Sequence, residues 1–206
     1  MKKWTLFASV AVVGAAATSL ALRGQTPVAV AAPAASTVAL DKKVDAFSLP
    51  DTKGKSVTVG DWAKSKATVL MFVATKCPIS NDYNARMATL AKTYEPKGIK
   101  FVGINSNKAE LGPEVEEHSK ANKFSFAVLK DPDNKIADRF NAQVTPEVYV
   151  VNPAGTLVYR GRIDNSRNEA EVNDKSLAKT LDAILAGKPV PEKETRAFGC
   201  TIKRIG

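Results

Sequence analysis

Val69-Leu70-Met71-Phe72-Val73-Ala74-Thr75-Lys76-Cys77-Pro78-Ile79-Ser80 is an apolar run that breaks into a Cys-Pro turn. A run of this length, rich in β-branched and aromatic residues, reads as a strand buried on both faces. A helical pattern follows from about Asn81 to Tyr94, with Met87, Leu90, Ala91 and Tyr94 on one face; Pro96 and Gly98 end it. Cys77 therefore falls between the carboxyl end of a strand and the amino end of a helix. A thiol placed there meets free backbone N–H groups and the positive end of the helix dipole, which favour the reactive thiolate.

Working outward, strand-like and helix-like segments alternate. Ser56–Val59 is a short β-prone stretch, and Ala67–Ala74 is the buried strand. Ile99–Ile104 is a second strand, followed by a helix from Pro113 to about Lys123 whose first turns carry Glu114, Glu116 and Glu117. Phe126–Leu129 reads as a strand, and Asp131-Pro132-Asp133 opens a helix to about Phe140. Glu147–Val151 and Thr156–Ile163 form a hairpin about Asn152-Pro153-Ala154-Gly155, and Asp174–Leu185 is an amphipathic helix ended by Gly187. This β-α-β-α-β-β-α order predicts an α/β fold, a central mixed β-sheet flanked by helices in a single domain.

The chain has 206 residues and a formal net charge of +9. Lys2 and Lys3 precede an apolar stretch from Trp4 to Leu22, and small residues Ala29-Val30-Ala31 follow. This order predicts that residues 1–32 are an export signal, or an uncleaved amino-terminal anchor, since the apolar stretch is long enough to span a bilayer. No Cys follows it to carry a lipid and no Arg-Arg pair precedes it. Residues 33–40, rich in Ala, Pro, Ser and Thr, read as a linker. Residues 41–187 are the folded domain, an ordinary single-domain length, and residues 188–206 a tail. Contact with the membrane is expected only through the amino-terminal segment. The basic excess is spread along the chain with no Arg/Lys block interleaved with aromatics, so nucleic-acid binding is not expected.

The two cysteines, Cys77 and Cys200, allow one intramolecular pair, and an exporting compartment permits it to form. Arg160 and Arg162 alternate on one strand and read as sheet surface. His118, the one histidine, lies in a polar acidic helix and reads as solvent-facing. Lys76 reads as a solvated lysine beside Cys77, while Tyr83 and Asn84 either line a pocket or cap and pack.

Three motifs in this order resemble the thioredoxin superfamily, and within it the redoxin branch of peroxiredoxin-like and alkyl hydroperoxide reductase/thiol-specific antioxidant proteins. The likeness runs from about Lys43 to Ile205. Cys77-Pro78-Ile79-Ser80 is similar to the Cys-x-x-Cys motif with Ser80 at the second cysteine. Val144-Thr145-Pro146 resembles the segment in which a cis proline faces the reactive Cys and the residue before it offers backbone bonds to a substrate chain. Phe198-Gly199-Cys200-Thr201-Ile202-Lys203 resembles the carboxy-terminal end of a peroxiredoxin-like subgroup.

The resemblance implies a thioredoxin-like fold and thiol–disulfide chemistry without a cofactor. Cys77 would attack, Thr75, Pro78, Ser80, Thr145 and Pro146 would support it, and Ser80 would donate a hydrogen bond to the thiolate. Partners would be protein or small-molecule thiols and disulfides, or peroxides. The peroxidase lead is absent, because Val73 stands where its proline falls, and Met71 replaces the buried acid of thioredoxins. Ser80 also removes one of the two close cysteines that a metal site of a related family uses. With Ser80 in the motif, resolution of a mixed disulfide would fall to Cys200, brought in by a mobile tail, or to an external thiol. Alternatively, the resemblance implies a peroxiredoxin-like thiol peroxidase with Cys77 passing through a sulfenic acid, or Cys77 and Cys200 form a permanent staple in a binding domain, or stay unpaired.

Overall fold

The computed structural model describes Met1 and residues 37–205; the expected signal or anchor, except for Met1, and residues 33–36 of the linker lie outside the described residues. In chain order the strands and α-helices are β1 (Phe47–Pro50), β2 (Ser56–Val59), β3 (Ala67–Phe72), α1 (Pro78–Asp82), α2 (Asn84–Tyr94), β4 (Ile99–Asn105), α3 (Gly112–Ala121), β5 (Val128–Lys130), α4 (Lys135–Phe140), β6 (Val144–Thr145), β7 (Glu147–Val151), β8 (Leu157–Gly161), α5 (Ser176–Leu185) and β9 (Cys200–Thr201). Five strands form the central sheet in the order β5-β4-β3-β7-β8. β3, β4 and β5 run parallel, while β7 is antiparallel to β3 and β8 antiparallel to β7. The fold is thioredoxin-like, a mixed sheet covered by helices.

β3 is at the centre because all six of its residues are buried. Successive side chains of a strand point to opposite faces, so Leu70 and Phe72 enter one core with Phe47, Leu49, Ile136, Phe140 and Ile202. Val69 and Met71 enter the other, with Met87, Ala91, Val115, Leu177 and Leu181. The helical partners stand at four-residue spacing (Met87 and Ala91, Leu177 and Leu181), one stripe per helix. Val38 is also buried, and its N–H donates to Arg139 O at 2.8 Å.

Three local expectations need correction. The helix expected from Asn81 begins at Pro78 and breaks at Tyr83, giving α1 and α2. Proline suits the first helical position because its missing N–H would have no partner there. β5 starts at Val128 rather than Phe126. α4 starts at Lys135 rather than in the Asp131-Pro132-Asp133 turn, because the Asp131 carboxylate accepts from the Ile136 and Ala137 N–H groups and so ends the turn there.

The tail, expected to be mobile, is bonded along both flanks of Cys200. Upstream, Arg160 N donates to Lys193 O and Thr195 N to Arg160 O, at 2.9 and 3.0 Å. Gly161 (φ 144°) is needed here, since a Cβ on it would lie 2.3 Å from Thr195 O. Downstream, Ile202 N donates to Gln143 O, Lys203 N to Asn107 Oδ1 and Ile205 N to Asn134 Oδ1. Arg204 pairs with Asp138 at 2.8 Å.

Candidate functional site

Cys77 caps α1. Its backbone is extended (φ −92°, ψ 113°), its Sγ accepts the Ser80 N–H at 3.2 Å, and its carbonyl accepts from Asn81 N at 3.0 Å. The sulfur is bonded to Cys200, with the two Cα atoms 5.9 Å apart and 123 residues between them in sequence. Cys77 is 4% exposed while Cys200 is half-buried. The hydroxyl of Ser80, expected to serve the sulfur, instead accepts the Ala74 N–H at 3.2 Å; its backbone N–H is what reaches Cys77.

The Thr145–Pro146 bond is cis, and Thr145 O lies 3.5 Å from Cys77 Sγ. β6 pairs antiparallel with β9, Thr145 opposite Cys200 and Val144 opposite Thr201. The structure thus brings together Cys77, Pro78, Ser80, Thr145, Pro146 and Cys200. Thr75 stands at the rim, its Oγ1 donating to Glu114 Oε1 at 3.2 Å.

The site has a buried carboxylate that the sequence reading missed. Glu110 is 3% exposed. Its oxygens accept the backbone N–H groups of Thr75 (2.8 Å) and Lys76 (3.0 Å), and the side-chain amides of Asn105 (2.5 Å) and Asn107 (3.0 Å). Burial pushes the Glu110 carboxyl up, but these four donors together outweigh it and hold the group below its ordinary value. Lys130 stands nearby, bonded to Asn105 Oδ1, with its ammonium depressed by burial. Glu110 therefore fixes the two peptide groups that lead into Cys77.

Glu110→Gln is expected to cost about 1–3 kcal/mol, because one amide oxygen cannot serve four donors, as read from urea unfolding midpoints. The sign in acid follows from the depressed folded value. The stabilisation from Glu110 is full above the unfolded carboxyl range, about pH 4.3, and is lost as pH falls through the lower folded value. The Gln variant should lose less stability than the parent over that acid window.

The other candidates are placed elsewhere. Lys76 is paired with Glu114 at 3.0 Å. His118, expected to face solvent, is half-buried, with Nε2 2.9 Å from Asn81 Oδ1 and its ring against Phe124. Burial pushes it down, against the raising effect of Glu110 and Glu114. Arg160 and Arg162 are not plain sheet surface: they pair with Glu194 and Asp174, both at 2.7 Å. Tyr83 packs, its hydroxyl donating to Asp164 Oδ1 at 2.9 Å. Arg86 holds Asp164 through Nη1 at 2.7 and 2.9 Å, and its guanidinium carbon sits 3.6 Å over the Tyr83 ring.

Known proteins share this frame. The chain is 28% identical over 112 residues to the thiol-disulfide oxidoreductase ResA of Bacillus subtilis (strain 168), 54% of this chain and 61% of that protein's length. It is 34% identical to an uncharacterized conserved protein of Geobacillus kaustophilus, whose crystal structure superposes with a TM-score of 0.75 over 81% of this chain and 93% of that one. The thioredoxin domain of a thiol-disulfide oxidoreductase from Bacteroides vulgatus superposes with a TM-score of 0.52 at 18% identity, over 60% of this chain and 89% of that one, a likeness of fold. With residues 40–160 matching the AhpC/TSA family model, the chain belongs to the AhpC/TSA family.

Proposed function

We propose that this protein is an exported thiol–disulfide oxidoreductase whose working parts are Cys77 and Cys200. The observation that carries the reading is the Cys77–Cys200 bond at the amino end of α1, beside Thr145–Pro146. In the reduced state the Cys77 thiolate, supported by the Ser80 N–H, attacks one sulfur of a substrate disulfide. The substrate's other sulfur leaves as a thiolate with the bonding pair. Cys200 thiolate then attacks Cys77 Sγ, expels the substrate's remaining sulfur and closes the Cys77–Cys200 bond. Thr145 presents backbone to the chain being exchanged. The chemistry uses no cofactor, and its partners are protein or small-molecule thiols and disulfides. Export is supported by the Lys2-Lys3 and Trp4–Leu22 order of the amino terminus.

A second reading is supported by the bonding of the tail on both flanks of Cys200: a permanent staple in a binding domain. The reduction potential of the pair separates the two. A value near about −200 mV is expected for exchange, and one below about −300 mV would mark a staple. Cys77→Ser is expected to abolish reduction of a substrate disulfide by the reduced protein, and full retained exchange in that variant would sink the proposal. Peroxide consumption is expected to be slow, as Val73 occupies the place of the peroxidase proline.

A further inference from the structure

The segment Phe198-Gly199-Cys200-Thr201-Ile202 lies in the site as a bound peptide would. Among the described residues β6 pairs with the tail strand and with no strand of the central sheet, so residues 200–201 fill its edge. Phe198 and Ile202 flank Cys200 two residues to either side and anchor the segment in the two different cores. The Phe198 ring meets the Tyr83 ring edge-on at 6.2 Å, in the cluster that also holds Ile79. Ile202 is 3% exposed in the opposite core, whereas Thr201 between them is exposed. Gly199 passes so close to β6 that a Cβ on it would sit 2.1 Å from Thr145 O and 2.6 Å from Thr145 C. Any other residue at that place must shift one of two backbones.

We propose that this groove is a sequence-selective site for an extended cysteine-bearing polypeptide with an aromatic residue two before the cysteine and glycine immediately before it, and that the protein's own tail is its resident occupant. The proposal rests on the reading that the Cys77–Cys200 bond opens during function. Main-chain pairing to an exposed edge supplies affinity and alternate side-chain pockets supply choice. The Phe198 pocket selects the aromatic ring. The Thr145 carbonyl excludes every side chain at the position before the cysteine. Because the tail is also held at Thr195 and at Lys203–Ile205, it stays seated when the disulfide is cut, and an incoming chain must displace it.

The test uses the full chain carrying Cys200→Ser, which frees the Cys77 thiol. The probes are peptides Ala-Phe-Gly-Cys-Thr-Ile-Lys activated at cysteine as the thionitrobenzoate disulfide. Cys77 attacks the peptide sulfur, and thionitrobenzoate leaves with the bonding pair and is measured by absorbance. Peptides with Ala for the glycine, or Ala for the phenylalanine, are expected to react at least about tenfold more slowly, equivalent to about 1.4 kcal/mol. Adding Gly199→Ala to the protein's own tail should speed reaction with the parent peptide, because the occupant no longer seats. Equal rates for the three peptides, with Cys77 reacting readily with dithiobis(nitrobenzoate), would overturn the selective groove and leave the exchange reading standing. A Cys77 that reacts with neither probe would overturn both.

Discussion

The double variant Cys77→Ala/Cys200→Ala is expected to be less stable than the oxidised protein by up to about 5 kcal/mol. The bond joins residues 123 apart, so opening it releases a long loop in the unfolded chain. In the loop-entropy account, the native contacts are unchanged and the unfolded state gains the freedom. For a domain of this size that corresponds to a fall in melting temperature of up to about 10–20 °C. Calorimetry of the oxidised protein and the double variant measures it without a reductant in the cell. A difference of only a degree or two would show that the unfolded chain is already compact around the two cysteines, and that the tail owes its place to its flanking bonds.

Asp164→Ala is expected to cost about 3–5 kcal/mol, because it strands a buried guanidinium. The side chains of Arg86 and Asp164 are 9% and 6% exposed. Asp164 accepts two hydrogen bonds from Arg86 Nη1 and one from the Tyr83 hydroxyl. Burial first, and then the Asp164 carboxylate, hold the Tyr83 phenol protonated far into alkali. Removing Asp164 leaves the guanidinium and the phenol without their anion. Replacing both partners, Arg86→Met with Asp164→Leu, should restore most of the loss, because two desolvated charges disappear together. Guanidinium unfolding of the two single variants and the pair forms the cycle; a double variant as weak as Asp164→Ala would contradict it. The same change should loosen the ring on which Phe198 rests, so the disulfide of Asp164→Ala should be cut faster by a mild thiol.

The central strand and the cysteine were legible because the signal is local: an apolar run from Val69 to Ala74 has few other places to go, and Cys77-Pro78 marks its end. The hairpin about Pro153 and Gly155 was legible for the same reason. Glu110 was not. Lys108-Ala109-Glu110-Leu111-Gly112 reads as a polar loop, and the N–H groups that bury the carboxylate stand 34 and 35 residues upstream. The one available hint was the Asn105-Ser106-Asn107 run, polar at the end of a buried strand. Arg86 and Asp164 face each other across 78 residues, and no periodicity announces such a pair. His118 misled because its helix is acidic and polar, while the turn at Asn81 that covers it comes from another element. The seating of the tail was hidden for a different reason: glycine at 199 has meaning only once Thr145 lies against it.

β8 is an edge strand of the central sheet, and its outer side is a place where the ladder could continue into another molecule. Residues 42–44 cover its beginning, through Lys43 opposite Thr156, and residues 193–195 cover its end, through Glu194 beside Arg160. A strand margin with unpaired N–H and C=O groups is a template for aggregation. A tail pulled off by an exchange partner therefore bares this margin as well as the groove. The hydrogen bonds that seat residues 193–195 thus double as a guard on solubility, and only a partner that lifts the tail itself opens the sheet to a neighbour.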